Sequence, residues 1–75
     1  MKQIARIEIE IFLRKEGYEI SNRVCSEEET KIYECWIKNG TQKIKLTKGV
    51  KYFQSSQLSS IFHDNRVLSK FKLTL

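Results

Sequence analysis

The Asn39-Gly40 dipeptide is the feature that most constrains the fold of this chain. Alternating apolar and polar residues flank it on both sides, and an Asn-Gly pair in that setting is typical of a two-residue β-hairpin turn of type I′. A two-residue loop determines which residues lie opposite each other in the two strands. The expected pairs are Lys38 with Thr41, Trp36 with Lys43, and Glu34 with Lys45.

This register predicts a hairpin with one apolar face and one basic face. Side chains alternate between the two faces along a strand. The side expected to face the core carries Tyr33, Cys35, Ile37, Ile44 and Leu46. The opposite face would expose Trp36 among Lys38, Lys43 and Lys45, with Glu34 directly across from Lys45.

The N-terminal segment alternates like a strand, but its ending favours a helix. Arg14 and Lys15 place cations in a last turn, and Gly17 follows just beyond it, which is how helices commonly end. We therefore predict a helix over residues 3–16. On a helical wheel its core-facing side gathers Ile4, Ala5, Ile7, Ile11 and Phe12. Ile9 and Leu13 lie outside that side, and we expect the C-terminal segment to cover them or a self-association surface to use them.

The remaining patterns predict a small α+β domain. Residues 18–25 alternate as a strand, and residues 26–30 indicate an exposed turn. Leu58, Ile61 and Phe62 have helical spacing after the potential caps Ser55 and Ser56, which predicts a second helix over residues 55–64. Residues 66–75 alternate and predict a final strand. We expect one compact domain over residues 1–75, with an antiparallel sheet of three or four strands and two helices in the order α-β-β-β-α-β.

The predicted order α-β-β-β-α resembles the layout of double-stranded-RNA-binding domains and of the small HicA-type toxins built on it. Those toxins carry a catalytic histidine after a Gly-Ser on the second strand, where this sequence reads Glu29-Thr30-Lys31-Ile32. His63 is the only histidine, and no suitably placed nucleophile is evident. A lone general base can still cleave RNA, because the 2′-hydroxyl supplies the nucleophile. A HicA-like toxin ribonuclease is therefore an alternative, while the main expectation is a protein without catalytic residues.

Two cysteines, Cys25 and Cys35, are too few for a disulfide framework or for a zinc site without further ligands. The chain opens without a signal-peptide pattern and has no apolar run of about 18 residues. These features predict a cytoplasmic protein with no membrane segment, whose thiols are free and structural. No metal and no cofactor is expected.

Positive charge is concentrated in the second half of the chain. Residues 1–37 contain six Lys/Arg and eight Glu, whereas residues 38–75 contain eight Lys/Arg and a single acid, Asp64. Clustered positive charge attracts polyanions. The sequence therefore predicts a small basic binding protein that contacts RNA or DNA through a sheet face on which lysines surround a stacking aromatic. The expected contact residues are Trp36, Lys38, Lys43, Lys45, Lys48, Lys51, Arg66, Lys70 and Lys72.

Other function classes fit the same residues. An exposed Trp36 ringed by polar groups would also suit a small inhibitor or adaptor, of phage or mobile-element type, that binds a protein such as a nucleic-acid enzyme. The additional apolar residues Ile9, Leu13 and Leu68 allow a homodimer. The lysine face would equally be a solvated surface, and Trp36 would be buried if a helix or the C-terminal segment covered its side of the hairpin.

Overall fold

The computed structural model describes residues 2–75, and within them the chain forms four α-helices and five strands in two antiparallel sheets. The elements in chain order are β1 (Gln3–Ala5), α1 (Arg6–Lys15), β2 (Glu19–Ile20), α2 (Glu27–Ile32), β3 (Tyr33–Lys38), β4 (Gln42–Thr47), β5 (Tyr52–Gln54), a turn of 3-10 helix (Ser55–Gln57), α3 (Leu58–Ile61) and α4 (Asn65–Thr74). The predicted α+β class is confirmed. The sheets are β1-β5 and β2-β3-β4. The expected order α-β-β-β-α-β with two helices is wrong, because β1 precedes α1, α2 lies between β2 and β3, and α4 replaces the final strand.

The N-terminal segment is divided between a short strand and α1. Residues 3–5 pair with β5, with Ile4 opposite Phe53, so the predicted helix holds only from Arg6 to Lys15. Its ending agrees with the sequence signal, because Gly17 has a φ of +97°. That left-handed conformation suits glycine and closes the helix.

The face that α1 buries differs from the expected one, although Phe12 is buried as expected. Ile9 and Leu13 are fully buried together with Phe12, whereas Ile7 and Ile11 are each 57% exposed. Ile7 and Ile11 are four residues apart, and so are Ile9 and Leu13, so helical periodicity fits either orientation. Packing against the rest of the core selects the orientation that buries Ile9 and Leu13, which belong to the cluster that contains Trp36.

The hairpin turn forms at Asn39-Gly40, but its register differs from the expected one by one residue. Both turn residues have positive φ, +56° and +73°, as a type I′ turn requires. Thr41 donates its backbone N–H to the Lys38 carbonyl at 3.3 Å and is itself left out of the pairing, because Lys38 lies opposite Gln42. A shift of one residue exchanges the faces of one strand relative to the other.

The corrected register places Trp36 opposite Ile44 and Glu34 opposite Leu46. Trp36, Ile44 and Leu46 share the inner face of the sheet and belong to the core. Tyr33 and Ile37, which were expected in the core, are half-buried on the outer face.

The segment between β2 and β3 forms a short helix that is tied to the outer face. Only Glu19–Ile20 of the expected strand over residues 18–25 is a strand, and the expected exposed turn is α2. Ser26 and Glu29 form a capping box at its start, each side chain accepting the other residue's backbone N–H at 3.3 Å. Cys25 and Cys35 are joined by a disulfide, with their Cα atoms 6.4 Å apart, so the expectation of free thiols is wrong. The register explains the bond, because it turns Cys35 away from Trp36 toward the segment that carries Cys25.

The C-terminal segment is the helix α4 because Asp64 caps its start. The Asp64 carboxylate accepts the Arg66 backbone N–H at 2.9 Å. The predicted helix over residues 55–64 is divided into the 3-10 turn and α3, and its apolar residues Leu58, Ile61 and Phe62 are buried as expected. Phe71 of α4 packs edge-on against Phe12, with ring centroids 5.1 Å apart. Within residues 2–75, every helix is too short or too polar to span a bilayer.

Candidate nucleic-acid interface

Trp36, the expected centre of the binding face, is a core residue. Its side chain is fully buried, and its Nε1–H donates to Glu34 Oε1 at 2.9 Å. The Arg14 guanidinium lies 5.0 Å from the ring centroid on the remaining side. A ring enclosed in this way is inaccessible to a base, so the expected stacking role of Trp36 is wrong, and the alternative of a covered tryptophan is the one observed.

Glu34 bonds to Arg6 rather than to Lys45. Arg6 Nη2 lies 3.2 Å from Glu34 Oε1, the oxygen that also accepts from Trp36. Arg6 further donates to the carbonyl oxygens of Thr47 and Val50. This arginine therefore joins the start of α1 to the end of β4, a structural role that the sequence analysis missed. The available signal was a cation between two apolar neighbours, Ala5 and Ile7.

Lys43 and Lys45 remain together on the outer face of β4, as the sequence predicted. Lys43 is exposed and forms no ion pair with any residue from 2 to 75. Lys45 is half-buried and pairs with Glu29 Oε1, and its Nζ lies 5.8 Å from the centroid of the Tyr33 ring. The aromatic ring beside the two lysines is therefore that of Tyr33 instead of Trp36.

Two hollows adjoin β4, and His63 forms part of the wall of both. We call the two together the β4 groove. The first, of about 150 Å³, is lined by Tyr18, Gln42, Lys43, Ile44, Phe62, His63, Asp64 and Val67. The second, of about 330 Å³, is lined by Tyr33, Lys45, Thr47, Phe53, Gln57, Ser60, Ile61 and His63. The groove thus combines two ammonium groups, an imidazole, a carboxylate, hydroxyls and two amides with apolar side chains.

The Tyr18 phenol and the Asp64 carboxylate at the first hollow each keep one protonation state at neutral pH. Burial raises the pKa of the Tyr18 phenol above its ordinary value of 10.0, and the charges of Asp64 and Glu16 raise it further. Tyr18 therefore keeps its proton. The hydrogen bond from the Arg66 backbone N–H lowers the pKa of Asp64 below its ordinary 3.8. Asp64 stays ionised and is occupied in capping α4, and it makes no hydrogen bond to His63 among the described residues.

The other expected contact residues do not line the groove, and most of them have intramolecular partners. Lys48 donates to the Thr30 carbonyl, Lys70 lies 3.3 Å from Glu16, and Arg66 lies 3.5 Å from Asp64. Lys38 sits at the end of β3, 5.9 Å from the Tyr18 ring centroid. Lys51 adjoins Tyr52 and Ile7 in a separate hollow, and Lys72 is exposed in the last turn of α4. The structure therefore brings together two of the nine expected residues, Lys43 and Lys45.

The acidic residues of α2 lie next to the basic part of the groove. The hydrogen bond from Lys45 is the largest of the effects that lower the pKa of Glu29 below its ordinary 4.5. Glu29 is thus ionised at neutral pH and offsets part of the charge of Lys45. Within residues 2–75, no group of three or more His, Cys, Asp or Glu residues is placed to hold a metal ion.

Comparison of the chain with protein-family models, with curated proteins and with solved structures found no significant match. A proposal about function therefore has to rest on the β4 groove and its surroundings.

Proposed function

We propose that this protein is a small non-catalytic nucleic-acid-binding protein, and that the β4 groove holds a single-stranded stretch of RNA or DNA. The observation that carries the proposal is the placement of Lys43 and Lys45 on one outward face of β4, each at one of two hollows that share His63. Residues two apart on a strand are separated by about 7 Å. Two ammonium groups at that spacing suit two phosphates of one strand.

The two lysines would bind phosphates at different cost. Lys43 has no ion pair to give up among the described residues, and only the Asp64 carboxylate at the same hollow opposes its attraction for a phosphate. Lys45 must exchange the Glu29 carboxylate for a phosphate, which offsets part of the gain. Binding through these groups releases counterions and weakens as salt increases.

Tyr33 supplies the aromatic surface that the proposal needs. Its ring is half-buried and lines the second hollow beside Lys45. A base that stacks on such a ring contributes about 1–3 kcal/mol with little dependence on sequence. Gln57 and Ser60 on the opposite wall add hydrogen-bonding groups that suit a sugar or a base edge.

A binding role without catalysis fits the surroundings of His63. The neighbouring Asp64 carboxylate is engaged by the start of α4 and does not orient the imidazole. A lone general base can act on RNA, but no hydrogen bond among the described residues orients the His63 imidazole toward a reacting atom. We therefore assign His63 to binding, as a hydrogen-bonding group between the two hollows.

The test is a fluorescence-anisotropy titration with single-stranded RNA, duplex RNA and duplex DNA at several salt concentrations. Replacing Lys43→Gln and Lys45→Gln together should reduce the slope of log K against log salt by about 1.5. The matched control combines Lys51→Gln with Lys72→Gln, which removes the same charge outside the groove and should change the slope much less. Equal effects of the two pairs would place the contact elsewhere, and no binding at low salt would refute the proposal.

Two further arms sharpen this titration. Tyr33→Leu should weaken binding to single strands several-fold at every salt concentration, while Tyr33→Phe, which keeps the ring, should bind like the unchanged protein. The length of the RNA is checked after each titration. Shortened RNA that depends on His63 would replace the binding role with ribonuclease activity.

We also propose a cytoplasmic location, which requires that the protein bind its ligand without the disulfide. The cytoplasm keeps most thiols reduced, so a protein working there has to bind with Cys25 and Cys35 open. The titration is therefore repeated with a reducing agent, and retained binding is expected. Binding only in the oxidised form would move the site of action to an oxidising compartment.

A further inference from the structure

The outer side of α1 carries apolar side chains that the fold leaves uncovered. Ile7 and Ile11 are each 57% exposed, Tyr52 is 61% exposed and Leu75 is 44% exposed. Ile7 lines a hollow together with Tyr52, and Ile11 lines another together with Leu75. We call these four residues the α1 strip, which follows the helix from one end to the other.

A helix with apolar residues on both sides normally lies between two layers of protein. The inner side of α1 already packs into the core through Ile9, Phe12 and Leu13. Larger exposed apolar patches on small proteins mark interaction sites. The α1 strip therefore lacks its second layer in the isolated chain.

The charges beside the strip are arranged so that an inverted copy of the same helix matches them. Glu8 and Lys15 lie three residues before and four residues after Ile11, which places them on the same flank of the helix. Both line the hollow that contains Ile11 and Leu75. Neither side chain forms an ion pair with another described residue.

We propose that two copies of this chain form a homodimer through the α1 strip, with the two α1 helices antiparallel about a twofold axis near Ile11. In this arrangement Glu8 of each copy faces Lys15 of the other, so one contact is made twice, as in an isologous interface. Ile11 and Leu75 of both copies meet close to the axis. A partner whose surface carries charge of only one sign would repel either Glu8 or Lys15. A second copy of the chain attracts both, which favours it as the occupant.

A homodimer of this kind needs only a modest part of the surface of one chain. A standard interface buries about 800 Å² on each partner, and one chain exposes 5324 Å² over its described residues. None of the four strip residues lines the β4 groove. Dimerisation would therefore leave both grooves open, and it does not depend on the proposed binding of nucleic acid.

Sedimentation equilibrium from micromolar to millimolar protein tests the proposal. The unchanged chain is expected to reach twice the mass of one chain, and Ile11→Asp should remain at the mass of one chain throughout. Ile32→Asp is the matched control, since Ile32 is 54% exposed on α2, and it should dimerise normally. Circular dichroism of both variants checks that each is folded.

A charge exchange separates self-pairing from any other use of the strip. Glu8→Lys and Lys15→Glu should each weaken the dimer by about tenfold or more, because each single change brings like charges together twice. The two changes combined should restore most of the affinity. A monomer at every concentration, a dimer that survives Ile11→Asp, or a combined variant as weak as the single ones would overturn the proposal.

Discussion

The inner and outer faces of the β2-β3-β4 sheet are held by different kinds of interaction. On the inner face, Trp36, Ile44 and Leu46 pack into a continuous apolar cluster. On the outer face, residues 21–32 form a segment that we call the outer cover. It is attached to the sheet by the Cys25–Cys35 disulfide and by the ion pair between Glu29 and Lys45. Within α2 itself no residue is buried.

Of the two faces, the outer one depends more strongly on solution conditions. Apolar burial responds little to redox state, moderate changes of pH or salt. A disulfide depends on the redox state of the compartment, and a half-exposed ion pair depends on pH and is screened by salt. The outer cover is therefore the part of the molecule that its surroundings can loosen.

The largest effect is expected from Trp36→Ala on the inner face. Removing a fully buried tryptophan should lower the free energy of unfolding by about 4 kcal/mol, which is most of the stability of a domain of this size. Urea denaturation followed by circular dichroism measures the change. Tyr33→Ala on the outer face is the comparison and should cost less than half as much, because Tyr33 is only half-buried. Similar losses for the two variants would remove the distinction between the faces.

Opening the disulfide should have the next largest effect. The bond joins residues ten apart in sequence, and closing a loop of that length restricts the unfolded chain by about 3 kcal/mol. Adding a reducing agent should lower the urea midpoint and speed amide hydrogen exchange in residues 21–32 more than in β3 and β4. The variant with Cys25→Ala and Cys35→Ala should not respond to the reductant. Uniform exchange over the whole chain would mean that the outer cover is not a separate unit.

The smallest effect is expected from the Glu29–Lys45 ion pair under acid. The pKa of Glu29 is lowered in the folded protein, so its contribution to stability is present above the ordinary pKa of 4.5 and is lost as the pH falls through the lowered value. Glu29→Gln keeps the capping box, since glutamine also serves at this position, but removes the titrating charge. Denaturation measured between neutral pH and about pH 2 should show a shallower loss in this variant. An identical pH dependence would show that the pair contributes nothing.

The sequence predicts correctly which residues of one strand share a face of the sheet. It does not predict correctly which residues of two neighbouring strands share a face. Lys43 and Lys45 are two residues apart, so they share a face whichever residues lie opposite them. Trp36 was assigned to that face only through the pairing of β3 with β4, which Thr41 shifts by one residue. The Asn39-Gly40 signal located the turn and its positive φ angles correctly. It does not reveal that the next residue stays unpaired.

Helix signals near the termini were present but open to more than one interpretation. The helix predicted over residues 55–64 ends at Asp64, whereas in the structure Asp64 caps the start of α4. The spacing of Val67, Leu68 and Phe71 fits α4 as well as the alternation of residues 66–75 fits a strand. The Ser26 and Glu29 capping box was a local signal that sequence reasoning missed. The disulfide could not be predicted from local sequence patterns, because it depends on which face of the sheet Cys35 occupies.

The pairing of β1 with β5 has a consequence for how the chain is made. Residues 3–5 find their sheet partner only in residues 52–54, and Phe12 finds its aromatic neighbours only in Phe62 and Phe71. During synthesis from the N-terminus, α1 therefore leaves the ribosome well before Phe62 and Phe71 can complete the cover of its inner side. The core is therefore completed only after nearly all of these residues have been translated, and until then the inner side of α1 is covered only in part.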